Sequence, residues 1–176
     1  MASRGFIELL RLADMAKARQ SNRHGGQEID WRGVVFELDG QRLIAPLGEV
    51  SEVLSMPEYT LMPLVQPWLL GIANVRGRLL PLTDLAKFLQ VSSQTRQLSQ
   101  RKVMVIDHQS LFLGLIVDQV LGIEQISSTQ YHAESINTNS PFAPYNHGKF
   151  VKDDQDWFVF LPSLLVEDPR YIDAAI

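Results

Sequence analysis

Asp39, Gln41, Leu43 and Leu47 recur 68 residues further along the chain as Asp107, Gln109, Leu111 and Leu115. With two residues inserted, Val50 and Val53 then match Val120 and Ile123. A second stretch, Gly71 to Leu85, is echoed more loosely by Gly148 to Leu164. The repeating unit is hairpin, irregular segment, hairpin, used twice, and two short β units of this size imply two small barrels packed against each other. The chain has 176 residues and no cysteine. No disulfide or thiolate-bound metal therefore staples it, and its stability has to come from an apolar core.

The hairpins are legible in the turn chemistry. Val34 to Leu38 and Gln41 to Leu47 flank Asp39-Gly40, and Asp-Gly between apolar runs is a strong hairpin signal. Trp68 to Val75 and Arg78 to Leu82 flank Arg76-Gly77. Val103 to Ile106 and Leu111 to Val117 flank the segment 107–110, in which Asp107-His108 reads as turn. Lys149 to Lys152 and Asp156 to Leu161 flank Asp153-Asp154-Gln155. Val50, Val53 and Leu54 suggest a helical turn or a short strand. Thr83 or Asp84 is placed to cap a short helix over Leu85 to Leu89. Ser92 to Gln100 and Ser127 to Tyr145 read as polar surface loops, and Pro162 ends the last strand before Leu164-Leu165 close the core.

The amino-terminal part has a different texture. Apolar residues at 6, 9, 10, 13 and 16 have helical spacing with a broad apolar face. The segment reads either as a helix packed on its own domain or as a partner-binding helix on a tether. Ser21 to Gln27, with Gly25-Gly26 at its centre, reads as a hinge. Glu8, Arg11 and Asp14 interrupt the apolar stretch and make it a poor signal peptide, so a cytoplasmic location is expected. Residues 1–30 thus form an amphipathic helix and linker. Residues 31–176 form the β domain, with the first barrel mainly over 31–91, the second mainly over 101–166, and room for strand exchange between them.

Chemistry is largely excluded. The formal net charge of -4 disfavours nucleic-acid binding, and no apolar run is long enough for a transmembrane helix. His24, His108, His132 and His147 fall in predicted turns or loops without metal-ligand spacing. Ser99-Gln100-Arg101-Lys102 has the Ser-x-x-Lys form of penicillin-binding enzymes but lacks its companion motifs. There is no phosphate loop, nucleophile elbow or zincin motif. Asp118 and Glu124 read as solvated charges rather than a catalytic pair. No enzymatic activity, cofactor or metal is expected.

The informative run is Gly71-Ile72-Ala73-Asn74-Val75-Arg76-Gly77-Arg78-Leu79-Leu80-Pro81-Leu82-Thr83-Asp84-Leu85. Gly77 supplies a positive φ at the turn and Arg76 projects from a rigid hairpin, its planar fork suited to a partner carboxylate. This run resembles the Asn-Leu-Arg-Gly signature of CheW-like domains, the coupling proteins of bacterial chemosensory arrays. Val35-Phe36-Glu37-Leu38 with Val50-Ser51-Glu52-Val53 resembles the family's first strands. Gly114-Leu115-Ile116-Val117-Asp118-Gln119-Val120 resembles its Gly-apolar-apolar-Val-Asp-x-Val motif. The likeness covers about residues 32–166. Ile44-Ala45-Pro46 and Pro162 depart from the family pattern, and the amino-terminal helix and linker are additions to it. The outline resembles that of family members serving type IV pilus, twitching-motility chemosensory systems.

The resemblance implies an all-β fold of two intertwined five-stranded SH3-like barrels around a shared hydrophobic core, with short connecting helices. It implies a non-enzymatic adaptor whose partners are the cytoplasmic tip of a methyl-accepting receptor, bound in a groove between the barrels, and the regulatory domain of a CheA-like histidine kinase. The alternative is a stand-alone regulatory or ligand-binding barrel without a kinase. Carried over by motif, the partner-binding positions are Val50, Glu52, Val53, Asn74, Arg76, Gly77, Asp118 and Val120. Val50 and Arg76 carry the most weight, whereas Val53 and Val120 also read as core and Asp118 as a tie at a strand end.

Overall fold

The computed structural model describes residues 30–93, 97–108 and 110–175. The expected helix over Phe6 to Ala18 and its Gly25-Gly26 linker lie outside these residues. Among the described residues twelve strands are formed: β1 (Asp30–Leu38), β2 (Gln41–Pro46), β3 (Val50–Ser55), β4 (Tyr59–Leu61), β5 (Leu69–Val75), β6 (Arg78–Asp84), β7 (Lys102–His108), β8 (Leu111–Val117), β9 (Gln119–Ser127), β10 (Tyr131–His132), β11 (Asn146–Lys152) and β12 (Gln155–Phe160). Two short α-helices, α1 (Leu85–Leu89) and α2 (Pro169–Ile172), and several 3-10 turns complete the described fold.

Local chemistry explains the hairpins. Asp39 and Gly40 have φ of 53° and 71°, Arg76 and Gly77 51° and 81°, and Asp153 and Asp154 52° and 59°. Positive φ at both central residues matches the twist of the flanking strands, and small, polar or glycine residues reach it at low cost. Asn74 Oδ1 accepts from Gly77 N at 2.9 Å and fixes the second of these turns. α1 begins where expected, with the Asp84 carboxylate accepting from Lys87 N at 3.2 Å.

The sheets exchange their hairpins. One sheet has the order β10-β11-β12-β2-β1-β9 and the other β3-β7-β8-β6-β5-β4. The β1–β2 hairpin therefore joins strands of the second half, and its repeat equivalent, β7–β8, joins strands of the first. The joins are equivalent too: β12 runs parallel to β2, and β6 parallel to β8. β9 pairs antiparallel with β1, and β3 with β7. The sequence repeat is thus a structural pseudo-two-fold, and the fold is the intertwined all-β one expected. Each sheet has five long strands and one short edge strand, β4 or β10, which the sequence reading did not include.

Burial follows from this exchange. Val34 and Phe36 of β1, with Met104 and Ile106 of β7, enter a shared core between the sheets. Their neighbours point the other way. Val35 joins Phe150, Trp157 and Val159, while Val103 and Val105 join Leu80, Leu82 and Ile116. The two exchanged hairpins are buried on both faces, and this is why Val34-Val35-Phe36 and Val103 to Ile106 are continuous apolar runs.

The segment Ser127 to Tyr145, expected as a surface loop, contributes buried Tyr131, Ile136, Phe142 and Tyr145. His108, His132 and His147, expected in turns or loops, lie in β7, β10 and β11.

The carboxyl-terminal part folds back over α1. Tyr171 stacks on Trp68 with ring centroids 5.0 Å apart, and its hydroxyl meets Thr83 Oγ1 at 2.7 Å. Asp168 accepts from Arg170 and from the Tyr145 hydroxyl. The guanidinium beside it holds the Asp168 carboxyl down at about 2. Burial, reinforced by the carboxylate, pushes the Tyr145 phenol up to about 12.

Gly71 marks a close backbone approach within the second sheet, because a Cβ there would lie 2.3 Å from the Thr60 carbonyl oxygen. Gly71→Ala is expected to destabilise by about 1–3 kcal/mol, since β4 has to move to admit the methyl group. Gly48→Ala, with open space around the added Cβ, is the control that leaves the denaturation midpoint in place.

Candidate functional site: a groove between two edge strands

β3 ends one sheet and β9 ends the other, and between them runs an apolar groove of about 410 Å³. β3 contributes Val50 to Val53 and β9 contributes Val120 to Ile123, with Val34, Leu47 and Lys102 completing the lining. These two strand segments are repeat equivalents, so the groove lies on the pseudo-two-fold. Val50 forms the floor at 6 % exposure, whereas Val53, Leu121 and Ile123 form rims at 40, 46 and 56 %. A volume of this size with an apolar lining suits a ligand or a partner side-chain cluster.

Both strands carry a bulge at the equivalent position. Val50 pairs with Ile106 and Glu52 with Val105, leaving Ser51 as the extra residue. Phe36 pairs with Val120 and Val35 with Gly122, leaving Leu121 as the extra residue. A bulge interrupts the row of backbone donors and acceptors and twists an edge away from further strand pairing. The groove is therefore suited to a helix or a side-chain cluster and poorly suited to an added strand.

The sequence-selected residues fall into three groups. Val50, Glu52, Val53 and Val120 line the groove. Val53, for which a core role was weighed, is at the rim. Val50, weighted as a contact, is largely buried and continuous with the shared core. Asn74, Arg76 and Gly77 form the β5–β6 turn. Arg76 connects that turn to the groove, because its Nη2 donates to Glu52 Oε2 at 2.6 Å. The arginine side chain remains 77 % exposed, so the pair contributes little to folding. Asp118 is elsewhere: it is buried, and its carboxylate accepts from Asp39 N at 3.0 Å and from the Ser93 hydroxyl. Its place is that of the tie at the strand end.

Leu121, Gly122, Ile123 and Lys102 were not selected as site residues from the sequence. The available signal was the repeat itself, since Ile123 is the equivalent of Val53. Lys102 Nζ is held by Ser55 Oγ at 3.1 Å along the β3–β7 pair. Beside the turn, Arg78 lies 3.6 Å over the Phe112 ring and pairs with Asp107 at 2.6 Å. Glu49, next to Val50, accepts from the Ser163 backbone and hydroxyl at 3.2 and 3.0 Å, and burial pushes its carboxyl above the usual range. Among the described residues, no group of three His, Asp or Glu side chains is gathered to hold a metal, and no helix is long and apolar enough to cross a membrane.

Comparison with known proteins agrees with this architecture. Protein PilI of Pseudomonas aeruginosa is 39 % identical over 146 residues, covering 83 % of this chain and 81 % of that protein. Chemotaxis protein CheW of Thermotoga maritima is 28 % identical over 126 residues, covering 72 % and 80 %. The crystal structure of the scaffolding protein TtCheW from Thermoanaerobacter tengcongensis superposes with a TM-score of 0.66 at 22 % identity, covering 75 % of this chain and 89 % of that one. The family model for the CheW-like domain matches residues 32–169, and the chain belongs to the CheW-like domain family of chemotaxis scaffold proteins.

Proposed function

We propose that this protein couples the cytoplasmic tip of a methyl-accepting chemotaxis-type receptor to the regulatory domain of a CheA-like histidine kinase, in a cytoplasmic array recruited to the inner membrane that controls type IV pilus twitching motility. The observation that carries the reading is the helix-compatible apolar groove between β3 and β9, with Arg76 anchored beside it by Glu52. A receptor tip offers helices, and apolar helix faces seat in grooves of this kind. The double sheet is one body with a shared core, so a partner bound at the groove is held at a fixed orientation to a partner bound elsewhere on the sheets. Linked weak contacts of this sort raise effective concentration and give a tight assembly without a catalytic group.

The test is reconstitution with a receptor-tip hairpin and a CheA-like kinase, reading receptor-dependent autophosphorylation with and without this protein. Activation that depends on the protein supports the adaptor. Kinase activity unchanged across all mixtures, with no retention of either partner, would favour a stand-alone regulatory barrel.

Arg76→Ala is expected to lower coupling about tenfold while moving the melting transition by no more than about 0.5 kcal/mol, because the side chain is exposed. Arg76→Lys keeps the charge without the fork and restores coupling in part. Full coupling by the alanine variant would remove Arg76 from the site.

A further inference from the structure

We propose that the groove between β3 and β9 selects its occupant by charge as well as by shape: it takes a helix whose apolar stripe is followed, one turn on, by acidic residues that pair with Lys102 on one wall and Arg32 on the other. This selectivity rests on the partner-helix reading given above and names the chemistry that such a helix has to carry.

The two walls place their cations alike. On the β3 side Val53 pairs with Met104 and Ser55 with Lys102. On the β9 side Ile123 pairs with Val34 and Gln125 with Arg32. Alternate residues of a strand share a face, and Met104 and Val34 both enter the shared core. Lys102 and Arg32 are therefore the next residues on the core-facing side of β7 and β1. Each lies about 7 Å along its strand pair from the exposed rim residue, Val53 or Ile123. Lys102 belongs to the groove lining, and Arg32 is exposed beyond Val34. Both stand where the apolar stripe of their strand gives way to solvent.

The charge balance decides which partner this arrangement suits. The charged residues of the lining are Glu52 and Lys102. Glu52 is already paired with Arg76 at 2.6 Å, and Glu124, next to Ile123, is paired with Lys152 at 2.8 Å. Glu49, next to Val50, is buried and held by Ser163. Lys102 donates only to the Ser55 hydroxyl, and among the described residues neither it nor Arg32 is in an ion pair. A single hydroxyl leaves the charge of an ammonium and its other donors uncompensated. The carboxylates around the groove are thus engaged while its two flanking cations are not, in a chain whose net charge is -4. A locally positive groove draws an acidic segment and turns away a basic one, which gives specificity beyond the fit of apolar surfaces.

Reach sets the spacing. A helix laid along the groove advances about 5.4 Å per turn, and residues three or four apart share a face. An Asp or Glu placed three or four residues after the side chain seated on Val53 or Ile123 therefore comes level with Lys102 or Arg32. The lysine stem can lie along the apolar wall while its ammonium meets the carboxylate, so the pair forms without burying a bare charge.

The test uses the full chain with Lys102→Glu, Arg32→Glu and both together, each checked by thermal melting. One arm needs no partner. Anilinonaphthalene sulfonate is an apolar anion, and phenylnaphthylamine carries the same rings without the sulfonate. The parent is expected to bind the anion at least about fivefold more tightly than the double variant, with the neutral probe unchanged and with Ile123→Asp weakening both. Equal affinity of parent and double variant for the anion overturns the proposal, as does equal weakening of both probes by the charge reversals or an anion site that Ile123→Asp leaves untouched.

The other arm titrates a receptor-tip hairpin. Lys102→Glu is expected to weaken binding about tenfold in dilute buffer and to differ little from the parent at about 1 M salt, where the screening length is about 3 Å. Exchanging the acidic residues that flank the hairpin's apolar face for lysine is expected to restore most of the affinity lost by Lys102→Glu. Binding by the parent that ignores both the charge at position 102 and the salt overturns the charge selection and leaves the groove as a helix site. No binding by the parent, with the sulfonate result intact, overturns the partner reading and leaves standing the preference of the groove for an apolar occupant of negative charge.

Discussion

Arg101→Met is expected to destabilise the protein by about 3–5 kcal/mol, enough to unfold a domain of ordinary stability at moderate temperature. Arg101 is buried, and its two terminal nitrogens donate to Asp84 Oδ2 and Oδ1 at 3.0 and 3.2 Å. Its Nε lies 3.7 Å from Asp118 Oδ1. Asp84 caps α1 at the end of β6, while Asp118 holds the β1–β2 turn through Asp39 N. One guanidinium therefore joins the hairpin exchanged into one sheet to the last long strand that the first half gives the other. Removing it takes the shared cation from two buried carboxylates and leaves Asp84 only the exposed Lys87 ammonium at 3.9 Å, and an undercompensated buried charge costs far more than the pair contributes when intact. Arg101→Lys keeps one charge but cannot bridge both carboxylates, so it should recover only part of the loss. Denaturant melts of the three forms check this, and a methionine variant within about 1 kcal/mol of the parent would show that the cluster is not a keystone.

The elements that were legible in the sequence are those whose turns carry their own chemistry. Asp39-Gly40, Arg76-Gly77 and Asp153-Asp154 each announce a hairpin through residues that tolerate positive φ, and each hairpin formed. β3 was ambiguous for a physical reason. The extra residue at Ser51 spaces Val50 and Val53 three apart, as on a helix, although the segment is a strand. β9 was not recognised, because the bulge at Leu121 breaks its alternation in the same way. The bulges that obscured the two strands are also what shape the groove, so the site was hidden by the feature that makes it. Its apolar rim was hidden further by context. Val53 and Ile123 look like core valine and isoleucine until the exchange of hairpins puts their strands at the free edges of two sheets. Tyr131, Ile136, Phe142 and Tyr145 lie in a polar stretch with no period, and only tertiary packing makes them core.

Ile123→Asp is expected to reduce partner binding at the groove by at least about thirtyfold while leaving the fold intact. Ile123 is more than half exposed, so a carboxylate there is hydrated in the free protein and the stability change should stay within about 1 kcal/mol. On binding, that carboxylate has to be desolvated against an apolar helix face without a partner cation, a penalty comparable to losing a central hot-spot residue. Val53→Asp, across the groove at the equivalent repeat position, should act the same way. The two together should fall short of the sum of their effects, because one already spoils the shared contact. Val50→Asp is the informative contrast. Its side chain is at the floor and part of the shared core, so the aspartate is expected to lower the melting temperature sharply and to confound any binding measurement. Leu79→Asp, on the β5–β6 hairpin and more exposed to solvent than Ile123 or Val53, is the neutral control. Titration of a receptor-tip hairpin into the parent and these variants, with circular dichroism melts run on the same samples, separates the outcomes. Undiminished affinity in stable Ile123→Asp and Val53→Asp would move the binding surface away from the groove and leave Arg76 as the only part of the proposed site still standing.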